Sequence, residues 1–279
     1  PLHRGLAFQQ IDKRFEILEN SLLEISGEFS RRNSLAEPTS LALYPVTNND
    51  SYKAAFIALG QGFKVERLNE NANDLEAPKG SFLISGSSSR LRLIENDLGI
   101  SPKYIDEKPT AATRQLQIPK IGLVETYFHD MDAGWTRHVL DSYKIPFTTV
   151  RPGDFESKSL TTEFDVLIFP DSNKDVLMSG KYKSSSGVYN VSSYHPEYTK
   201  GIGKKGMQKL LTFIDNGGIV VSWRRSTALF MGTHTIEKTN AENEDFQLPV
   251  RDVSSGLTNA GLSCPGSLLQ MNIIKEHPI

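Results

Sequence analysis

The sequence contains almost no cysteine, no long apolar run and no excess of one charge. Cys264 is the one cysteine in 279 residues, so an intrachain disulfide and a zinc site built from cysteines are both excluded. Without an apolar run of about twenty residues, the chain is not expected to span a membrane. The net charge of −2 gives no electrostatic reason to expect binding to nucleic acid or to an anionic membrane.

The residues that are present predict a helix followed by two domains. Six apolar residues step by three and four along one helical face, which predicts a linker helix over residues 1–36: Phe8, Ile11, Phe15, Leu18, Leu22 and Ile25. This helix packs either on a neighbouring domain, which we favour, or in a short coiled coil. Short strands and glycine-ended helices predict a small α/β domain over 41–108. Three prolines mark residues 102–119 as an extended connector to a main domain over 118–279.

Residues 118–150 open the main domain with a strand, a loop, a helix and a second strand. Asp132 is expected to cap the helix, and Pro146 ends it before the second strand begins. Four residues recur at the spacing of a buried helical face: Trp135, Val139, Leu140 and Tyr143. The stretch therefore predicts a βαβ unit, and ligands of such sheets bind beyond the carboxyl ends of the strands.

The following segments continue the same alternation. Apolar residues occupy both odd and even positions of 164–170, which predicts a strand that is covered on both faces. A long loop is expected over 171–193, a helix over 203–216, a core strand over 219–223 and a last strand over 268–274. The repeated order of strand and helix predicts an α/β fold with a flavodoxin-like, doubly wound parallel sheet.

The wording of the main domain resembles a known family. Four phrases match, in the same order, the C-terminal, non-catalytic part of large and chiefly bacterial carboxypeptidase A-type zinc metallopeptidases, a part that is similar to class I glutamine amidotransferases. They are HDMDAGWTRHVLDSYKIPF (129–147), FDVLIFPD (164–171), PEYTKGIGKKGMQKLLTFIDNGGIVV (196–221), and LPVRDV (248–253) followed by CPGSLLQ (264–270).

The resemblance implies an accessory region rather than a peptidase domain. The parent protein would hydrolyse C-terminal residues from peptides, with zinc held in an upstream peptidase domain that is also this region's expected partner. A chain that starts without methionine and ends within a phrase is expected to be a piece of such a protein. The resemblance favours a secreted or periplasmic location and leaves a cytoplasmic one open. No cofactor is expected in this segment itself.

A zinc centre is not predicted within the chain. A catalytic zinc needs three protein ligands and one position for water. His234 and Glu237 have the family's His-x-x-Glu spacing, but the third ligand should come far downstream, where His277 is the only candidate. The alternative, which we favour, is an exposed loop between a helix and a strand.

An amidotransferase triad is not predicted either. That chemistry needs a nucleophile on the tight turn after a core strand, together with a histidine and a carboxylate. Trp223 or Arg224 occupies the nucleophile's position, and neither can attack a carbonyl. His195 and Glu197 precede that turn, whereas triad members should follow it. Ser226 is a weak candidate nucleophile.

Polar and aromatic residues are predicted to meet in a crevice at the strand ends. The candidates for ligand binding are Glu125, Tyr127, His129, Asp132, Arg137, Arg224 and Arg225, with Trp135 beside them. An arginine pair can hold a carboxylate through two hydrogen bonds, so an acidic small molecule or a peptide C-terminus is one expectation. The alternative is a structural ion-pair network in which Arg137 or Arg224 binds Asp130 or Asp132.

Three hypotheses about function follow from these residues. The main one is a non-catalytic accessory region that serves packing, substrate access or partner binding. The second is an autonomous hydrolase or amidotransferase-like enzyme that works through Ser226 or Cys264. The third is a ligand-binding module for small acids at the Arg224 and Arg225 crevice.

Overall fold

The chain is described here by a computed structural model over residues 36–98, 100–128, 130–183, 189–190, 195–236, 244–248, 250 and 254–261. Within these ranges it is a mixed α/β protein with a five-stranded antiparallel sheet, a separate four-stranded parallel sheet and two antiparallel pairs of short strands. The predicted linker helix, apart from its last residue, and the predicted strand at 268–274 lie outside the described residues.

The first sheet has five antiparallel strands in the order β4-β1-β3-β2-β5. Its strands are β1 (Leu41–Tyr44), β2 (Lys64–Leu68), β3 (Phe82–Ser85), β4 (Lys103–Ile105) and β5 (Thr113–Gln115), and its helices are α1 (Asp50–Gly60) and α2 (Ser88–Asn96). Alternate residues of each strand face opposite sides, so Ala42 and Tyr44 pack with the helices while Leu41 and Leu43 pack in a second cluster. The central strands are therefore buried on both faces.

Residues 102–119 were predicted to be an extended connector between the domains, but they contain two strands of the first sheet. Its two ends form the edge strands β4 and β5, which pair with β1 and β2 across long stretches of sequence, as in the partnership of Leu41 with Ile105. Strands of three residues are too short to show an alternating apolar pattern. Only the pairing with a distant strand determines that they form.

The second sheet is parallel and has the order β11-β8-β6-β7. Its strands are β6 (Ile121–Val124), β7 (Thr148–Val150), β8 (Val166–Phe169) and, after the short pair β9 (Tyr182–Lys183) and β10 (Tyr189–Asn190), β11 (Ile219–Ser222). The helices between them are α3 (Met131–Ser142), α4 (Leu160–Glu163), α5 (Lys174–Ser179) and α6 (Gly203–Asp215). The chain continues with β12 (Thr233–Ile236), β13 (Glu244–Gln247) and α7 (Ser254–Asn259).

One face of the parallel sheet holds its main core. Helix α6 confirms the sequence prediction, and it ends before Gly217, which adopts a φ of +85° that suits glycine. Four apolar side chains of α6 pack with the buried residues of β6 and β8: Met207, Leu210, Leu211 and Phe213. Leu167 and Phe169 of β8 are among these partners and are fully buried.

The opposite face of this sheet is covered less completely than the sequence predicts. Ile219 and Val221 are 50% and 43% exposed, so β11 is a core strand on one face only. Val221 pairs with Ile168 of β8, which is itself only partly buried. Alternation in a sequence tells which residues share a face, but it does not tell whether a helix covers that face.

Helix α3 differs from its prediction in its cap and in its buried face. Asp130, not Asp132, is the N-cap, because its carboxylate accepts a hydrogen bond from the N–H of Ala133. Ala133 and Leu140 are buried, whereas Trp135 is 63% exposed and Val139 is 51% exposed. Positions 133 and 140 are seven residues apart and therefore lie on one face, and the apolar residues beside them face away from the sheet.

The predicted loop over 171–193 also contains regular structure. Helix α5 begins after Asn173, whose side chain accepts a hydrogen bond from the N–H of Asp175. The helix ends at Gly180, which has a φ of +67°. Because α5 has only six residues, it leaves a weak periodic signal in the sequence.

Candidate functional site

The carboxyl ends of the four parallel strands face two adjoining clefts. Since parallel strands end at the same edge of a sheet, the residues after β6, β7, β8 and β11 gather there. One cleft has a volume of about 660 Å³ and is named here the Arg151 cleft. The other has a volume of about 370 Å³ and is named the Asp171 cleft. The two share Phe128 and Val176 in their walls.

Asp171 follows β8 and anchors the turn that follows β11. Its side chain is 4% exposed, and its Oδ1 accepts hydrogen bonds from the backbone N–H of Arg225 at 3.0 Å and from Nε at 2.8 Å. The Nη2 of Arg225 donates to Oδ2 at 3.3 Å, and the Nε of Arg224 lies 3.4 Å from Oδ2. The charge of one carboxylate is therefore matched by two arginines.

These contacts set the pKa of both partners. Burial of Asp171 is the largest single influence and opposes ionisation, but the hydrogen bonds from Arg225 and the charge of Arg224 together hold the pKa of Asp171 below its usual value. The hydrogen bond to Asp171 raises the pKa of Arg225, and the nearby charge of Asp132 adds to this effect. Both groups are thus ionised at neutral pH.

The turn after β11 holds an arginine in a left-handed backbone conformation. Trp223 is extended, and Arg224 then has a φ of +56°, a value that is uncommon for a residue with a side chain. Arg224 begins a short 3-10 helix, Arg224–Leu229, and its side chain is 71% exposed. The chain therefore makes a sharp turn from strand to helix at the carboxyl edge, with a guanidinium at its tip.

Ser226 lies within that 3-10 helix and is fully buried. Its hydroxyl group lies 2.9 Å from the carbonyl oxygen of Phe169 and 2.8 Å from that of Trp223, and it donates to these acceptors. The hydroxyl thus ties the turn to the end of β8 and is not presented to either cleft.

Arg151 follows β7 and lies in the wall of the larger cleft. Its Nη1 donates to the carbonyl oxygens of Glu125 and Thr126, each at 3.1 Å. The guanidinium lies over the ring of Tyr127, with 4.0 Å from its carbon to the ring centroid. Asp154 accepts a hydrogen bond from the backbone N–H of Arg151 at 3.0 Å. Arg151 is therefore held rigidly, with its side chain still 26% exposed.

Another part of the cleft wall is the 3-10 turn Pro196–Thr199 with the residue after it, Lys200. This turn approaches closely because two glycines face it. A Cβ on Gly153 would lie 2.7 Å from the Cβ of Lys200, and a Cβ on Gly180 would lie 1.8 Å from the carbonyl oxygen of Thr199. The ring of Tyr198 lies 4.7 Å from that of Tyr127.

Acidic residues also line the Arg151 cleft. Glu156 forms an ion pair with Lys205 at 3.0 Å, and Asp154 is bonded to the backbone of Arg151. Glu197 lies 3.7 Å from Nδ1 of His195, and both of these side chains are mostly exposed. The cleft is thus mixed in charge rather than uniformly basic.

No protein family, curated protein or solved structure matches this chain. The resemblance of residues 129–147 and of the other three phrases to a peptidase family therefore stays a prediction.

The structure brings some predicted site residues together and separates others. Glu125 lies between two arginines, 3.3 Å from Nη1 of Arg137 and 3.7 Å from Nη2 of Arg151. Tyr127 lines the Arg151 cleft, and Arg225 lines the Asp171 cleft. Arg137 and Arg224 line neither cleft, and the exposed Trp135 points to solvent. His129 lies outside the described residues.

The ion pairs differ in partner from the network considered in the sequence. Arg137 binds Glu125 and Arg224 binds Asp171, rather than Asp130 or Asp132. Asp130 instead accepts hydrogen bonds from the N–H groups of Thr126 and Ala133, which close the loop after β6. Burial is the main influence on its carboxyl group and raises the pKa of Asp130.

The cleft residues that were not selected from the sequence include Arg151, Asp171 and Lys200. Arg151 and Asp171 each lie directly after a parallel strand or one residue beyond it, so the rule that selected Glu125 and Arg224 would also have found them. Lys200 has no such signal, because it reaches the cleft through the packing of its turn against Gly153.

The described part of the chain contains no group of three or more metal-ligating side chains. His234 lies in β12, and Glu237, Cys264 and His277 are outside the described ranges. Among the described helices, none has the length and apolar character needed to cross a membrane.

Proposed function

We propose that this chain is a non-catalytic accessory region of a protein similar to the carboxypeptidase A-type zinc peptidases. Its parallel-sheet unit is proposed to be a flavodoxin-like, amidotransferase-like domain that has lost its nucleophile. The region would contribute packing, substrate access or partner binding to an upstream peptidase domain, where the zinc and the hydrolysis of peptide C-termini would reside.

The strand order supports the proposed fold. Numbered within the parallel sheet alone, β7-β6-β8-β11 is the order second, first, third, fourth. Flavodoxin-like sheets begin with this same order, and their ligands bind where the order reverses, between the first and third strands. In this chain that point lies between β6 and β8, beside Phe128, which both clefts share.

The observation that carries the proposal is the backbone of Arg224. Enzymes with a nucleophile elbow place the attacking residue on a strained turn between a strand and a helix. Arg224 occupies such a turn with a φ of +56°. A guanidinium remains protonated at physiological pH and cannot attack a carbonyl carbon. The turn thus has the backbone shape of an elbow without the chemistry of one.

The alternative enzyme would need another nucleophile. Ser226 is the nearest hydroxyl, but it is buried and bonded to two carbonyl oxygens, a setting that favours a structural role. His195 is 70% exposed in its side chain and its nearest acidic partner is Glu197 at 3.7 Å. These positions favour the accessory reading over a triad built on Ser226.

The proposal is tested by assaying the purified chain for turnover. Zinc with hippuryl-phenylalanine tests peptidase activity, and glutamine tests amidotransferase activity. We expect no product above the buffer control and no covalent labelling by a fluorophosphonate probe. Turnover that is abolished by His234→Ala or by Ser226→Ala would show that the chain is itself an enzyme.

The shape of the elbow has a separate test in an Arg224→Cys variant made in a Cys264→Ser background. A thiol at the start of the 3-10 helix beside Arg225 should titrate below the ordinary pKa of about 8.5, as measured by the pH dependence of alkylation with iodoacetamide. Asp141→Cys on the exposed side of α3 is the control and should titrate near the ordinary value. Equal titration of the two thiols would count against an elbow.

A second function, a binding module for small acids, is favoured by the two clefts at the carboxyl edge. Their volumes of about 660 and 370 Å³ suit a small molecule or the end of a peptide. Arg225 in the Asp171 cleft already uses its Nε and Nη2 on the carboxylate of Asp171, and Arg224 lies outside the cleft, so this pair is a poor site for a further acid. A thermal-shift screen with dicarboxylates and short peptides tests the module as a whole.

A further inference from the structure

We propose that the Arg151 cleft binds a small organic carboxylate that carries a flat ring, with Arg151 and Lys200 holding the carboxylate and the tyrosines holding the ring. This inference rests on the binding role proposed above and names the ligand class and the residues for it. It moves acid recognition from Arg224 and Arg225, where the sequence placed it, to two cations that the fold brings into the larger cleft.

One edge of the Arg151 guanidinium makes no hydrogen bond among the described residues. Of its guanidinium nitrogens, Nη1 is occupied by the carbonyl oxygens of Glu125 and Thr126. The Nε–Nη2 edge has no hydrogen bond among the described residues, because the nearest carboxylate oxygen, on Glu125, is 3.7 Å from Nη2. This edge presents two parallel N–H groups, the arrangement that a carboxylate accepts with both oxygens.

Contacts within the protein hold the Arg151 side chain in place before any ligand binds. The two carbonyl oxygens fix one end of the guanidinium, and the ring of Tyr127 fixes its plane. A side chain that is already ordered loses little conformational entropy on binding. Glu125, the nearest counter-charge, is also engaged by Arg137 at 3.3 Å.

Lys200 provides a second cation directly after the turn Pro196–Thr199. Lys200 lines the cleft, and its ammonium has no hydrogen bond or ion pair among the described residues. The carbons of its side chain pass close to Gly153, since a Cβ on that glycine would have Cβ, Cγ and Cδ of Lys200 within 3.6 Å. Lys200 therefore lies against the turn that follows Arg151.

The charge of the cleft favours a carboxylate over a phosphate. Asp154, Glu156 and Glu197 line the same cleft as the two cations. A second negative charge on the ligand doubles both its repulsion from these three carboxylates and its attraction to the two cations, and the carboxylates outnumber the cations. A ligand with a single negative charge is therefore the better match.

Aromatic side chains provide a surface for a ring. Tyr127 and Tyr198 are 43% and 45% exposed, and their rings are tilted by 52° at a centroid distance of 4.7 Å. Phe128 and the buried Val176 continue the apolar part of the wall. A flat group beside the carboxylate would cover these rings and gain contact area that acetate cannot.

The experiment is isothermal titration calorimetry of the whole chain with four probes. N-acetyl-phenylalanine carries the carboxylate and the ring, its amide lacks the charge, acetate lacks the ring, and phenyl phosphate carries two charges. We expect the acid to bind at least tenfold more tightly than each of the other three. Equal binding of the acid and its amide, or tighter binding of phenyl phosphate, would overturn the assignment.

Three variants locate the binding site. Arg151→Lys keeps the charge but loses the fork, and Lys200→Gln removes an exposed charge; we expect about a tenfold and about a threefold loss of affinity for the acid. Arg137→Lys is the matched control, because Arg137 also binds Glu125 but lies outside the cleft, and it should leave affinity unchanged. Lys200 is exposed, so its variant keeps the test valid if Arg151→Lys fails to fold.

The carboxylate site in the Arg151 cleft and the non-catalytic role of the chain are tested by different measurements. Turnover by the chain would contradict the accessory role and leave the calorimetric result intact. If the acid does not bind, or if Arg151→Lys, Lys200→Gln and Arg137→Lys all reduce its affinity equally, the cleft is not the site, and the non-catalytic proposal still stands.

Discussion

Asp171 accepts two hydrogen bonds from Arg225 on the same oxygen, one from the backbone N–H and one from Nε. These bonds join the end of β8 to the turn after β11. The hydroxyl of Ser226 makes a second tie between the same two segments, through the carbonyl oxygen of Phe169. The position of the turn at the carboxyl edge is thus determined by contacts between strands that are more than fifty residues apart.

The Asp171→Asn variant should lower the free energy of unfolding at pH 7. The amide loses the charge that two arginines share, and hydrogen bonds to a charged group contribute about 1.5–3 kcal/mol. Because Arg224 and Arg225 are largely exposed, we expect a loss near the lower end of this range. Urea denaturation followed by circular dichroism measures it.

The same pair predicts how this loss depends on pH. The pKa of Asp171 is lowered in the folded protein, so its contribution is fully present above the unfolded pKa of about 3.9 and is lost as the pH falls through the folded pKa. The difference between wild type and Asp171→Asn should therefore be constant from pH 7 to 5 and shrink below pH 4. A difference that grows towards low pH would contradict the assigned ion pair.

The Arg224→Gly variant should raise the free energy of unfolding. Glycine adopts a positive φ without steric cost, whereas other residues pay about 1 kcal/mol, and the exposed pair of Arg224 with Asp171 contributes little. Arg224→Ala is the control, because it removes the guanidinium but keeps the Cβ. We expect a gain of about 1 kcal/mol for glycine relative to alanine by chemical denaturation. If the two variants are equally stable, the turn is not strained.

The Tyr44→Phe variant should be as stable as wild type or more stable by up to about 1 kcal/mol. Tyr44 is 1% exposed, and its hydroxyl has no hydrogen-bond partner in the described structure. Burial, with smaller effects from Tyr104 and Glu95, raises the pKa of Tyr44 above its usual range, so the phenol stays neutral. Thermal and urea denaturation both measure the change.

Tyr104→Phe provides the comparison in the same cluster. The hydroxyl of Tyr104 donates to the buried carboxylate of Glu95 at 2.9 Å. Its removal leaves Glu95 with one donor fewer and should cost about 1–3 kcal/mol. A similar loss in Tyr44→Phe would mean that the hydroxyl of Tyr44 is satisfied after all.

Two alanine variants of α3 should differ sharply in stability. Leu140 is 8% exposed, and Leu140→Ala should lower the free energy of unfolding by about 2–5 kcal/mol. Trp135 is 63% exposed, and Trp135→Ala should change it by less than about 0.5 kcal/mol. If both variants lower the free energy of unfolding to a similar extent, Trp135 is buried, as the sequence pattern predicts.

Local patterns predict the elements of this fold better than they predict its surfaces. Helix α6 and the parallel strands β6 and β8 lie where the sequence places them, since each has a strong apolar period and a clear stop. The three-residue strands β4 and β5 were missed, because they exist only through pairing with β1 and β2. The exposed face of β11 was missed because cover by a helix is not a local property.

The site shows the same division. Tyr127 and Arg225 line the two clefts at the carboxyl edge, where their positions after strands place them, and their role in binding stays a prediction. The partner of each charge could not be predicted: Arg137 or Arg224 was considered as a partner of Asp130 or Asp132, whereas Arg137 pairs with Glu125 and Arg224 with Asp171. Spacing along the chain gives no distance between residues fifty positions apart.

The sequence by itself determined the alternation of strands and helices, the low cysteine content and the presence of two arginines, Arg224 and Arg225, directly after the apolar segment 219–223. Only the tertiary structure decided that Arg224 and Arg225 share the carboxylate of Asp171, that the Nε–Nη2 edge of Arg151 has no hydrogen bond among the described residues, and that Lys200 reaches the same cleft as Arg151. The reason is physical: local propensities depend on neighbours in the chain, whereas the partner of a charge depends on neighbours in space.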